Sequence, residues 1–71
     1  MSEASSFLQT ALDQVVLVKL KGGKKVRGVL KSFDMHLNLI LTNAEEISEG
    51  EAKKLGTLVV RGDNVVMISP T

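Results

Sequence analysis

The sequence predicts a mainly β domain, with one short N-terminal helix and then five strands in a small, strongly bent barrel. Three observations carry this. Apolar residues recur at helical spacing from Phe7 to Leu12 and no further. From Val15 onward the apolar runs are short and rich in β-branched residues, the composition of strands. Gly28 interrupts one of these runs, where a strand has to bend sharply. At 71 residues the chain makes a single domain, residues 1–71.

SSFLQTALDQ (residues 5–14) reads as the helix. Phe7, Leu8, Ala11 and Leu12 share one face, Ser6 and Gln9 stand at capping-box spacing, and Asp13 and Gln14 close it. Such a helix is too short to hold alone, so its apolar stripe needs a surface to pack on. VVLVKL (15–20) is the first strand and KGG a turn. KKVRGVLKSF (24–33) is the second strand. LNLILTNA (37–44) is the third, with Leu37, Leu39 and Leu41 alternating toward the core. EEISEGEAKK (45–54) is polar, contains Gly50 and reads as a solvated loop. GTLVV (56–60) and NVVMIS (64–69) are two short strands joined across RGDN, and Pro70 ends the last.

Nine basic and eight acidic residues leave a formal charge of +1, so bulk charge selects no partner. The distribution is uneven. Lys19, Lys21, Lys24, Lys25, Arg27 and Lys31 fall in one segment, and Glu45, Glu46, Glu49 and Glu51 in another. Both read first as solvated turns. The absence of cysteine excludes a disulfide framework and a thiolate metal site. No apolar run reaches membrane-spanning length and no signal-peptide pattern is present, so the expectation is a soluble cytoplasmic protein with no membrane partner. A chain this small, without disulfides, buries barely enough surface to offset the entropy of ordering it. Its last two strands carry little charge that would discourage pairing at a sheet edge. Both facts point to oligomerisation, and head-to-tail contacts close into rings when the rotation allows.

Two polar constellations stand out. Asp34, His36 and Asn38 alternate at the entrance to the third strand, and Arg61, Gly62 and Asp63 link the last two. Neither matches a catalytic layout. His36 is the only histidine, no serine sits in a nucleophile elbow, and one imidazole with nearby carboxylates is too few donors for a metal. No catalysis, metal or cofactor is expected. Taken alone, the residues also fit plain turn chemistry, with Asp34 starting a turn and Asn38 bonding backbone. The Arg-Gly-Asp tripeptide is assigned no adhesive role, since three residues match often by chance. Read together, the two groups suggest base recognition. An imidazole and a guanidinium are flat and can sandwich a base, at roughly 1–3 kcal/mol per stacked base. The Asn38 amide offers a donor and an acceptor that match the edge of uracil, Asp34 can orient it, and the Gly62 backbone can add an N–H. Single-stranded RNA presents bases in this way. Phe7 and Phe33 are the only aromatics, too few for RRM-type or cold-shock surfaces.

VVLVKLKGGKKVRGVLKSFDMHLNLILTNAEEI resembles the Sm1 motif of the Sm and Sm-like (LSm) proteins, about residues 15–47, and GTLVVRGDNVVMISP resembles their Sm2 motif, about 56–70. The glycines, the Asp-x-His-x-Asn spacing and the Arg-Gly pair stand where the family has them. The compact form is most similar to archaeal Sm-like proteins; bacterial Hfq shares the fold but typically carries Lys-His where this chain has Arg61-Gly62. Val60 stands where the family often has Ile or Leu, a difference that concerns packing only.

The resemblance implies an N-terminal helix capping a five-stranded, strongly bent antiparallel sheet, an SH3-like barrel. It places the fourth and fifth strands at opposite edges, where spacing alone suggests a hairpin. It implies a ring, homoheptameric with a hexamer as the alternative, in which the fourth strand of one copy pairs with the fifth of the next. Carried over, His36 and Arg61 stack on a uracil, Asn38 reads its edge, Asp34 holds Asn38, and Gly62 and Asp63 complete a pocket on the central pore. The implied function is a non-catalytic ring that binds U-rich single-stranded RNA, not DNA, and scaffolds or chaperones ribonucleoproteins. The alternative is a structural, protein-interacting ring with weak nonspecific RNA binding, suggested by the near-zero net charge and the acidic loop.

Overall fold

The computed structural model describes residues 3–71. One helix, α1 (Glu3–Ala11), precedes five strands: β1 (Val15–Leu20), β2 (Lys25–Phe33), β3 (Leu39–Ser48), β4 (Glu51–Val60) and β5 (Val65–Pro70). Single 3-10 turns at Lys21–Gly23 and Gly62–Asn64 join β1 to β2 and β4 to β5. All pairings are antiparallel, in the order β4-β3-β2-β1-β5. The last two strands therefore lie at opposite edges, and the hairpin that their spacing suggests does not form.

The helix begins before the expected capping box, so Ser6 sits inside it rather than at its cap. It ends at Ala11, where the Gln14 N–H donates to the Ala11 carbonyl at 2.9 Å. Asp13, at φ 65°, then turns the chain and donates its N–H to the Leu30 carbonyl of β2 at 2.8 Å. Leu8 and Ala11 are buried on the sheet, with Phe7 and Leu12 packed beside them. The apolar stripe thus closes one end of the barrel.

The segment 45–54, expected as a loop, is instead a hairpin. β3 continues to Ser48 and β4 starts at Glu51, so only Glu49 and Gly50 form the turn. Both take positive φ, 41° and 84°, as a two-residue type I′ turn requires. The hairpin has a physical basis in its charges. Glu45 pairs with Lys54 and Glu46 with Lys53 across β3–β4. Arg27 on β2 donates to Glu45 at 2.8 Å, and Lys24 stands 4.0 Å from Glu46. The basic and acidic clusters, far apart in the chain, lie on neighbouring strands and partly neutralise each other.

The sheet bends along a line of small residues crossing three strands. On β2, a methyl group added at Gly28 would stand 3.0 Å from the Thr42 carbonyl oxygen and 3.2 Å from the Ala44 Cβ. Ala44 on β3 pairs with Gly56 on β4, which has φ 79°. The ladder register shifts beside this line in both pairings. Extra residues at such shifts sharpen the local twist. Folded along the crease, the sheet wraps a core of Val16, Val18, Val26, Leu30, Leu39, Leu41, Ala44 and Val60, with Leu8 and Ala11 from α1. Each large side chain here contributes roughly 1.5–3 kcal/mol by leaving water. Val60 is 5% exposed, so Val fills its place.

Two substitutions test this account. Leu30→Ala, at a fully buried position, should lower unfolding free energy by about 2–5 kcal/mol in a urea titration. Gly28→Val, which presses on backbone rather than on a flexible side chain, should cost about 1–3 kcal/mol. A neutral Gly28→Val would show that the crease tolerates bulk.

Candidate functional site

Two loops build the site. The first, residues 34–38, connects β2 to β3. The second is the segment from Arg61 to Asp63, between β4 and β5. They meet because Leu39 and Val60, the residues flanking them, are Cα partners in the β3–β4 ladder.

Asp34 organises the first loop. Its Oδ1 accepts the backbone N–H of His36 at 2.9 Å and of Asn38 at 3.0 Å. Its Oδ2 accepts the Asn38 side-chain Nδ2 at 2.9 Å. The backbone closes around it: Leu37 N–H donates to the Asp34 carbonyl at 3.0 Å, and Asp34 N–H to the Asn38 carbonyl at 3.2 Å. These bonds, led by the one from the Asn38 side chain, hold the Asp34 carboxyl below its ordinary value of 3.8; the nearby His36 adds a smaller push in the same direction. Leu37, expected as the first inward residue of the strand, sits instead in this turn at φ 62° and is 38% exposed. The inward alternation begins at Leu39. Met35 projects from the loop, 89% exposed.

Asn38 joins the two loops. Its Oδ1 accepts the Gly62 backbone N–H at 2.8 Å while its Nδ2 donates to Asp34. A carboxylate needs a donor and an N–H needs an acceptor, so the network admits only one orientation of the amide. The Gly62 N–H, read from the sequence as a contact for ligand, is taken up inside the protein. One Nδ2 hydrogen and one Oδ1 lone pair of Asn38 remain for a ligand. Gly62 has no room for a side chain: a Cβ there would overlap the carbonyl oxygen of His36. Close backbone approach, not an unusual φ, requires glycine at this position.

His36, Asn38, Arg61, Gly62 and Asp63 line one open depression of about 390 Å³. All six residues singled out in the sequence are thus brought together, five on the surface of the depression and Asp34 behind it. Arg61 lies 3.6 Å from Asp63, and both side chains are exposed. Exposed pairs of this kind contribute little to stability, so the guanidinium is steered but left free to stack. Sequence reasoning missed that Asp34 receives three N–H groups rather than one. The Asx-turn habit of Asp was the available signal.

The geometry can be set beside known proteins. The model of the LSM domain matches residues 6–70. The chain belongs to the LSM-domain family. The snRNP Sm-like protein of Methanosarcina barkeri is 56% identical over 64 residues, covering 89% of each chain. Among solved structures, the P. aerophilum SmAP1 heptamer superposes with a TM-score of 0.95 at 48% identity, covering 100% of this chain and 96% of that one. The Pyrococcus abyssii Sm protein, solved in complex with a uridine heptamer, superposes with a TM-score of 0.92 at 46% identity, covering 99% and 100%. The bent sheet described above is therefore the Sm fold, and this LSM domain occupies nearly the whole chain. No helix among its described residues is long and apolar enough to cross a membrane.

The site yields two predictions. Asp34 should titrate below 3.8 by carbon-detected NMR, with the Asn38 side-chain amide shifting in the same step. Because the folded value is depressed, the loop's extra stability is present above the ordinary value and is lost as pH falls through the folded one. Gly62→Ala should separate the two loops and remove the Asn38–Gly62 bond, with a loss of about 1–3 kcal/mol in unfolding free energy. Unchanged stability in the Gly62→Ala variant would contradict the close approach.

Proposed function

We propose that this protein is a non-catalytic ring that captures U-rich single-stranded RNA, one base per subunit, and serves as a scaffold or chaperone for ribonucleoproteins in the cytoplasm. The observation that carries the reading is the fixed Asn38 amide, with one donor and one acceptor left, beside the exposed flat groups of His36 and Arg61. Uracil offers the complementary carbonyl and N3–H. Asp34 positions the amide, and Gly62 and Asp63 complete the rim. The uridine heptamer bound by the Pyrococcus abyssii relative supports the same ligand here.

The ring reading rests on the two open edges. β4 and β5 each pair on one side only, so each presents unmatched N–H and C=O groups. Their exposed apolar residues Val59 and Val66 give the edges something to bury. Pairing β4 of one copy with β5 of the next satisfies both. The heptamers among the solved relatives support seven copies. Native mass spectrometry distinguishes seven from six.

The test of the pocket is fluorescence-anisotropy titration of oligo(U), oligo(C) and oligo(A). Wild type should prefer oligo(U). Asn38→Ala should weaken oligo(U) by about 1 kcal/mol or more per engaged base and flatten the preference over oligo(C), while the ring persists. Equal affinity and undiminished preference in the variant would refute the assigned pocket. Weak, base-indifferent binding by wild type would favour the protein-interaction ring instead.

A further inference from the structure

The outer face of the β1–β2 ladder carries a like-charge contact. Lys19 and Lys25 are direct Cα partners, and both are exposed. Facing like charges across a ladder are destabilising. Among the described residues neither lysine has an ion pair, although Lys25 also lines a separate depression with Glu46 and Glu49. On the β5 side Lys19 pairs with Met67, and on the β3 side Lys25 pairs with Ile47. The next pair along the same face is Leu17 with Arg27, and Arg27 is already bonded to Glu45. Lys24, at the adjoining turn, has only a 4.0 Å approach to Glu46. Leu17, Lys19, Lys25, Met67 and Ser69 line a shallow depression of about 180 Å³. Two lysines therefore line one concave surface together with the apolar Leu17 and Met67 and the hydroxyl-bearing Ser69.

We infer that Lys19 and Lys25 form a phosphate-binding site that holds the sugar–phosphate backbone of the RNA outside the base pocket. The inference rests on the RNA-binding reading above. A bridging phosphodiester relieves the repulsion. The topology makes one strand of RNA able to serve both sites. β5 begins directly after the Gly62–Asn64 turn, and its first residue, Val65, pairs with Leu20 beside Lys19. Met67, the partner of Lys19, lies four residues past Asp63, at most about 13 Å along the chain even at strand spacing. That is within the span of a short oligonucleotide. The Gly22–Gly23 turn leaves the backbone there open, with nothing within 4 Å of either glycine's side-chain position.

The test is an oligo(U) titration over a salt series with wild type, Lys19→Gln/Lys25→Gln, Lys19→Arg/Lys25→Arg and Asn38→Ala. Loss of the one bridged phosphate should reduce the slope of log affinity against log salt by about 0.7 for each subunit engaged, the value per phosphate on single strands. The Gln pair should keep the preference for U over C, and the Arg pair should keep the slope. Asn38→Ala should do the reverse, losing preference at an unchanged slope. A Gln-pair slope equal to wild type, with U preference intact, overturns the phosphate site and leaves the base pocket standing. Base-indifferent binding by wild type whose salt dependence disappears in the Gln pair supports the phosphate site and overturns the pocket. No binding by wild type overturns both. Folding does not confound the result, since removing the repulsion should leave the melting temperature of the Gln pair at or above that of wild type.

Discussion

The fold depends on the close approach of β2 to β3 at Gly28. A side chain at Gly28 would press on Thr42 and Ala44 at 3.0–3.2 Å, so glycine lets β2 cross Ala44 closely, and Gly56 continues the fold line on β4. Without that crease a five-stranded sheet would be an open, twisted surface with one apolar face in water. With it, both halves of the sheet face the same core, and a short helix suffices to close the remaining end. The crease also brings the end of β4 round to where β5 can begin, so a single 3-10 turn spans the gap. The position of Arg61 and Gly62 follows from a packing constraint made elsewhere.

Within the site, rigidity comes from a chain of hydrogen bonds rather than from burial. Asp34 is exposed, yet its carboxylate fixes a five-residue loop because each oxygen meets N–H donors aimed by the turn. Asn38 relays that order across to Gly62. The reading edge is thus set before any ligand arrives, which reduces the ordering cost of binding. Leu37 accepts a left-handed φ to allow this, a strain of about 1–3 kcal/mol for a non-glycine residue.

Much of this was legible beforehand. The alternation of Leu37, Leu39 and Leu41 predicted burial, and Leu39 and Leu41 are buried because the strand has one wet face, whereas Leu37 lies in the preceding turn. The resemblance placed the edge strands correctly where loop length alone pointed to a hairpin. Residues 45–54 were not legible, since a strand pair with no buried residue has no apolar alternation to read. Its order comes from cross-strand charge pairs and from Glu49-Gly50, a turn dipeptide weaker than Asn-Gly. In the site, residue types and spacing identified the members but not the bonding. That the Gly62 N–H is occupied, and that Leu37 belongs to the turn, depend on the contact between two loops more than twenty residues apart, which no local pattern records.

The unequal length of the two edges has its own consequence. β4 runs for 10 residues and β5 for 6, so a β5 edge can cover little more than half of a β4 edge. The apolar half, Gly56–Val60, is the part suited to cover. The other half, Glu51–Leu55, keeps an unmatched backbone edge but carries Glu51, Lys53 and Lys54 along it. Charged side chains there deter any further strand from docking and penalise a partner that slides along the edge. The same strand thus contains an apolar stretch and a charged one, and the boundary between them lies at Gly56.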